Sequence, residues 1–184
     1  MEHVEPPDAG MGADDGSSMS FPGATSATRS LSGSETRLQQ ALDLAYRHLG
    51  KRDRTEAELR RHLAARDVDE QSIDSAVEAL VRQGYVDDAR YARTFAEERR
   101  ALDDWGAERI ERRLLDLGVA PQLVAETLSD RDEDELQAAV ALLRRRFREA
   151  PSTDRERDRA LGVLARKGYD SELAYEAVRA FSRG

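Results

Sequence analysis

From Glu35 onward apolar residues recur at helical spacing, and no segment alternates as a half-buried strand would. The most informative stretch runs from Gly84 to Gly118, GYVDDARYARTFAEERRALDDWGAERIERRLLDLG. Gly84 reads as a helix stop, because glycine enters the left-handed conformation that closes a helix without steric cost. Tyr85 and Val86 are expected to bury the turn behind it, and Asp87 or Asp88 to cap the next helix by accepting its orphan N–H groups. That helix carries Tyr91, Phe95 and Leu102 as one apolar stripe until Trp105-Gly106 breaks it. The helix after it turns Ile110, Leu114 and Leu117 inward, leaves Arg109, Arg112 and Arg113 for solvent or a partner, and stops at Gly118.

The same pattern extends to both sides. Leu38, Leu42, Ala45 and Leu49 form a stripe ended by Gly50. Thr55 and Glu58 have the T-x-x-E spacing of a capping box, opening a helix with Leu59 and Leu63 on one face. Asp69 caps another, which turns Ile73, Val77 and Leu80 inward. The set Leu59, Leu63, Val68, Ile73 and Val77 recurs as Ile110, Leu114, Val119, Val124 and Leu128, then as Ala160, Leu164, Tyr169, Ala174 and Val178. Asp67, Gly118 and Gly168 share the stop position, Asp69 and Asp170 the cap, and Pro121 suits a first helical turn. A longer helix precedes each pair, at about 36–49, 88–103 and 132–148. The expected fold is therefore all-α, with three tandem three-helix repeats over 35–85, 86–130 and 131–184. Helices this short cannot bury their stripes alone, so each repeat relies on its own core and its neighbours.

Composition changes the picture at the N-terminus. Residues 1–34 are rich in Gly, Ser, Pro and Asp without periodicity, so they are expected to be a disordered tail. There is no cysteine, which removes disulfides, thiolate metal sites and cysteine nucleophiles. No apolar run approaches the ~20 residues that span a bilayer, and no secretion signal is recognisable, so a cytoplasmic protein without membrane contact is expected.

A net charge of −8 argues against coating nucleic acid by bulk attraction. Yet the 29 basic residues are all arginine except Lys51 and Lys167, a bias that fits bidentate contacts to phosphate or carboxylate. Two helices joined by a tight turn suggest a DNA-reading helix-turn-helix, but the would-be recognition helices begin with Asp69, Glu70, Asp170 and Glu172, which phosphates would repel. The arginines gather elsewhere: Arg99 and Arg100; Arg109, Arg112 and Arg113; and Arg144, Arg145 and Arg146. These are the candidate contacts to a partner or to DNA, against the plainer reading of a solvated face with i,i+4 pairs. Catalysis finds no support. Asp87-Asp88 and Asp103-Asp104 read as caps, because adjacent residues on a helix point apart. His48 and His62 lie in separate helices without ligand spacing, so no metal, cofactor or catalytic residue is expected.

The segments GYVDDARYARTF, WGAERIERRLLDLGV and RALGVLARKGYDSELAYEAV together resemble the RecX family of recombinase regulators over roughly residues 36–182. The resemblance rests on Gly84, Tyr85, Asp87, Asp88, Arg90, Phe95, Trp105, Gly106, Ile110, Leu114 and Gly118. It implies an elongated, curved array of repeats, expected to be a monomer, that lodges in the groove of a RecA–single-stranded DNA filament. There such proteins modulate, and usually inhibit, extension, ATP hydrolysis and strand exchange, meeting DNA through the filament. Asp103-Asp104 departs from the family pattern, which tends to be basic before the Trp-Gly pair. A stand-alone nucleic-acid binder and a structural scaffold are the alternatives.

Overall fold

The computed structural model describes residues 24–129 and 132–183, and every regular element among them is a helix. The nine helices are α1 (Ala24–Leu49), α2 (Glu56–Ala64), α3 (Glu70–Arg82), α4 (Asp88–Asp103), α5 (Ala107–Leu117), α6 (Pro121–Leu128), α7 (Asp132–Arg146), α8 (Asp154–Lys167) and α9 (Ser171–Phe181). They form three repeats: α1–α3, α4–α6 and α7–α9. In each the long first helix packs on the third, and the middle helix closes the bundle.

Each repeat has its own core. Leu59, Leu63, Ile73, Val77 and Leu80 fill the first, Ile110, Leu114, Val119 and Val124 the second, and Leu143, Ala160, Leu164, Tyr169 and Val178 the third. Fully buried leucines such as Leu63, Leu114 and Leu164 stabilise the fold by about 1.5–3 kcal/mol each. The recurrent stop is one geometry used three times. Asp67, Gly118 and Gly168 have φ of 58°, 90° and 83°, and the next residue's N–H returns to the carbonyl of Leu63, Leu114 or Leu164.

The caps follow the sequence closely. Thr55 accepts from the Glu58 N–H while the Glu58 carboxylate accepts from the Thr55 N–H, completing the box. Asp69, Asp87 and Asp170 cap α3, α4 and α9 through side-chain oxygens, and Pro121 opens α6. A second box, Thr153 with Glu156, opens α8.

Three expectations are corrected. The first helix begins at Ala24 rather than near residue 36: Ala24–Leu49 has no proline and only Gly33 as a breaker, so nothing in it stops a helix, although its first half lacks an apolar stripe. Residues 1–23 of the expected tail lie outside the described residues. Tyr85 does not bury the turn. It is 55% exposed and sets its ring edge against Tyr46, while Val86, 2% exposed, plugs the core alone. Leu102 is 73% exposed, because the inward face of α4 runs through Ala92 and Ala96 and Leu102 lies on the flank with Phe95.

Candidate functional site at the repeat junctions

The middle helices stand head to tail. The C-terminus of α8 abuts the N-terminus of α5, whose C-terminus abuts the N-terminus of α2. Each contact joins the orphan carbonyls of one helix to donors at the start of another, so opposite ends of two helix dipoles meet. At the first junction the buried Thr55 hydroxyl donates to the Leu117 carbonyl at 2.8 Å, and the Arg61 guanidinium adds a bond to the same oxygen. At the second, the N–H groups of Gly106 and Glu108 donate to the carbonyls of Lys167 and Gly168 at 2.9 and 3.1 Å.

This approach decides which stops must be glycine. A Cβ on Gly118 would sit 2.3 Å from Ala57 Cβ, and one on Gly168 would sit 2.3 Å from Arg109 Cβ. A Cβ on Gly106 would sit 2.4 Å from the Gly168 carbonyl oxygen. Asp67 ends α2, where no further repeat docks among the described residues, and there an aspartate is accommodated.

An acidic residue from the first helix of the following repeat completes each junction. Asp88 Oδ1 accepts the Glu56 N–H at 2.9 Å, and Glu135 Oε1 accepts the Ala107 N–H at 2.6 Å. The two acidic residues at the start of α4 therefore divide the work: Asp87 caps its own helix and Asp88 caps α2. Burial pushes the Asp88 carboxyl above the usual carboxylate range, and the Glu56 N–H only partly offsets it. Arg90 ties the exit of α3 to α4 by donating to the Gly84 carbonyl at 3.1 Å.

The candidate arginines divide into engaged and unengaged groups. Arg99 pairs with Asp103 at 2.5 Å and lies near the rings of Phe95 and Trp105. Arg100 is half-buried. Arg109 covers the Trp105 ring at 4.3 Å and donates to the Arg166 carbonyl at 2.9 Å, so it joins two repeats instead of standing free. Arg145 pairs with Asp104, and Lys167 donates to the Asp103 carbonyl at 2.6 Å. Asp103-Asp104 thus serves the second junction. Arg112, Arg113, Arg144 and Arg146 are exposed and make no ion pair among the described residues.

A cleft of about 300 Å³ opens at the second junction, with Leu142 and Val163 among its walls and Arg109, Arg146, Arg166 and Lys167 as its cations. Asp104, its one acid, is already paired with Arg145. The excess of positive charge suits an anionic partner. The spacing of arginines on a helix announces a charged face, but not that α7 and α8 bring Arg146, Arg166 and Lys167 to Arg109. The two histidines without ligand spacing also meet: the rings of His48 on α1 and His62 on α2 stack 3.5 Å apart. Among the described residues no group of three or more His, Asp or Glu side chains is placed to hold a metal ion, and no helix is long and apolar enough to cross a membrane.

Family models for the first, second and third three-helix domains of RecX match residues 41–80, 87–128 and 132–178. The chain belongs to the RecX family. Among curated relatives, the Regulatory protein RecX of Deinococcus radiodurans is 35% identical over 149 residues, covering 79% of this chain and 70% of its own. That of Trichlorobacter lovleyi is 37% identical over 134 residues, covering 70% and 87%. The crystal structure of RecX from Lactobacillus salivarius aligns with a TM-score of 0.74 at 18% identity, over 82% of this chain and 99% of that one. A second crystal structure of a regulatory protein RecX aligns at 0.69 with 21% identity, over 84% and 77%. At that identity the two structures speak for the fold alone.

Proposed function

We propose that this RecX family member regulates a RecA recombinase by binding the RecA–single-stranded DNA filament and slowing its extension, ATP hydrolysis and strand exchange. The observation that carries the reading is the second junction, where cations without carboxylate partners among the described residues line a cleft between repeats in a chain of net charge −8. Such a surface does not collect nucleic acid indiscriminately, because the summed field of the protein opposes it. It suits an anion presented at one place, such as a phosphate or an acidic patch displayed by a filament. The relatives' name, Regulatory protein RecX, points the same way. In this reading the chain acts as a monomer in the cytoplasm, needs no cofactor, performs no chemistry and meets DNA through the filament.

The test is RecA-dependent ATP hydrolysis on single-stranded DNA, with sedimentation of the chain alongside RecA filaments and alongside bare DNA. Slower hydrolysis and co-sedimentation with filaments are expected. Binding to bare DNA of equal strength, with steep salt dependence, would instead identify a stand-alone nucleic-acid binder.

A further inference from the structure

The stacked histidines belong to a second basic cleft, in the first repeat and away from the junction just described. Its volume is about 370 Å³, and it is lined by Leu44, Arg47, His48, Lys51, His62 and Arg66. Every charged side chain in that lining is a cation. Among the described residues none of Arg47, Lys51 and Arg66 pairs with a carboxylate, whereas Arg52, Arg54 and Arg60 nearby all do.

The last turns of α1 and α2 converge here, and their carbonyl ends favour cations. Arg47 donates to the Asp43 carbonyl at 3.1 Å and Arg66 to the His62 carbonyl at 3.1 Å, so each answers one helix end. The rest of each guanidinium and the whole Lys51 ammonium are left without a counter-charge.

The imidazoles are fixed by the same charges. Arg66 Nη1 lies 3.0 Å from His62 Nδ1. A guanidinium can only donate, so Nδ1 is the acceptor and the ring proton sits on Nε2. The two rings lie 19° from parallel, close enough that protonating both would set like charges face to face. Burial, then the charges of His62 and Arg54, hold His48 at about 4, with Glu58 acting in the opposite direction. Burial, then Arg66, Arg54 and Lys51, lower His62. At neutral pH the stack is an uncharged wall between unanswered cations.

We propose that this cleft is an oxyanion site that takes a phosphoryl group, carried by a free nucleotide or polyphosphate or by a nucleic-acid backbone, on Arg47, Lys51 and Arg66. Three convergent donors suit a tetrahedral anion with several acceptor oxygens better than a single planar carboxylate. The cleft is also roomier than one phosphate requires. An arriving anion offsets the cationic repulsion that adds to burial in keeping the imidazoles neutral, so binding is coupled to proton uptake. Affinity for a phosphodiester backbone, whose own charge is fixed near neutrality, therefore rises as pH falls, by up to about tenfold per pH unit for each proton taken up. This inference needs no recombinase and stands or falls independently of the filament reading.

The experiment titrates the full chain with tripolyphosphate and, separately, with an oligothymidylate, following the imidazole proton resonances, with His3 as internal reference. Both His48 and His62 resonances are expected to move, and their titration midpoints to climb toward neutrality with ligand. Binding of either probe supports the site. Displacement of the oligonucleotide by tripolyphosphate assigns it to free phosphates as well, and binding of the oligonucleotide alone assigns it to the backbone. K51E/R66E, at two exposed positions, should weaken binding at least tenfold with unchanged helicity. H48Q/H62Q should bind the oligothymidylate at pH 8 and lose the pH dependence of that binding. The proposal is overturned if neither probe moves the two resonances, if K51E/R66E binds as the parent does, or if polyglutamate competes as well as tripolyphosphate.

Discussion

The Asp88 carboxylate accepts the backbone N–H of Glu56 at 2.9 Å, so the first residue of one repeat's long helix caps the middle helix of the repeat before it. Glu135, the fourth residue of α7, does the same for the Ala107 N–H one junction further on. The array is thereby coupled through backbone groups that any sequence would possess, with an acidic residue at the start of α4 or α7 as the specific part.

Replacing Asp88 should separate its capping role from its charge. Asp88→Ala leaves the Glu56 N–H without its acceptor and should cost about 0.5–2 kcal/mol, the range of a lost helix cap. Asp88→Asn keeps a carbonyl oxygen at the same place and should cost less. Burial raises this carboxyl in the folded chain, so its penalty is present at neutral pH and relieved as pH falls through the raised value. The parent should therefore gain stability relative to Asp88→Asn on going from pH 7 toward pH 4, measured by urea unfolding. A constant difference over that window would show that Asp88 does not titrate abnormally.

The three helix stops should respond differently to substitution. Gly118→Ala and Gly168→Ala each put a side chain at positive φ, which costs about 1–2 kcal/mol, and add the collision with Ala57 or Arg109. Asp67→Gly should leave stability within about 1 kcal/mol of the parent, because that stop faces no neighbouring repeat among the described residues. Thermal melts of the three variants decide the matter. Equal losses at all three positions would mean that the close approach of the helices is not what demands glycine.

Much of this architecture was legible in the sequence because its signals are local. The T-x-x-E box at Thr55, the aspartate caps, the stops at Asp67, Gly118 and Gly168 and the i,i+4 stripes are all set within one or two turns. What escaped reading is what the chain does over distance. The spacing of Asp87 and Asp88 permits either to cap α4, and only the packing of α2 sends Asp88 elsewhere. Arg109 has the pattern of a free surface arginine until α8 arrives beside it. His48 and His62 belong to helices whose mutual rotation no single stripe reports. The error at Leu102 has a simpler cause: small residues, Ala92 and Ala96, define the inward face, and a search for large apolar side chains passes over them.

Truncation of one buried and one exposed leucine should measure that difference. Leu114 is fully buried between the helices of the second repeat, so Leu114→Ala should destabilise by about 2–5 kcal/mol. Leu102→Ala, at a 73% exposed position, should change stability by no more than about 0.5 kcal/mol. Chemical denaturation of both variants tests the register of α4 and α5 together. A large loss at Leu102 would place it in an interface, and a negligible one at Leu114 would break the repeat alignment.

The regulatory reading is tested most sharply on the arginines that the fold leaves unused. Arg109 is unsuited, since its reversal would disturb the contact with Trp105 and the bond to Arg166 that join two repeats. Arg112, Arg113 and Arg146 are exposed and without ion pairs among the described residues, so R112E/R113E/R146E should fold with parental helicity. A charge-assisted hydrogen bond contributes about 1.5–3 kcal/mol where water is excluded, and less where salt screens it. Since a tenfold change corresponds to about 1.4 kcal/mol, one such bond lost at the filament is enough to see. We expect the triple variant to require at least tenfold more protein to slow RecA-dependent ATP hydrolysis at physiological salt. Reversal of Arg155, Arg157 and Arg159 is the charge-matched comparison, because they lie on the half of α8 remote from the second junction; its effect should be smaller. Equal inhibition by the R112E/R113E/R146E variant and the parent would leave these arginines a solvated face. The filament contact would then belong to the acidic starts of α3 and α9, where Glu70 and Glu172 stand exposed.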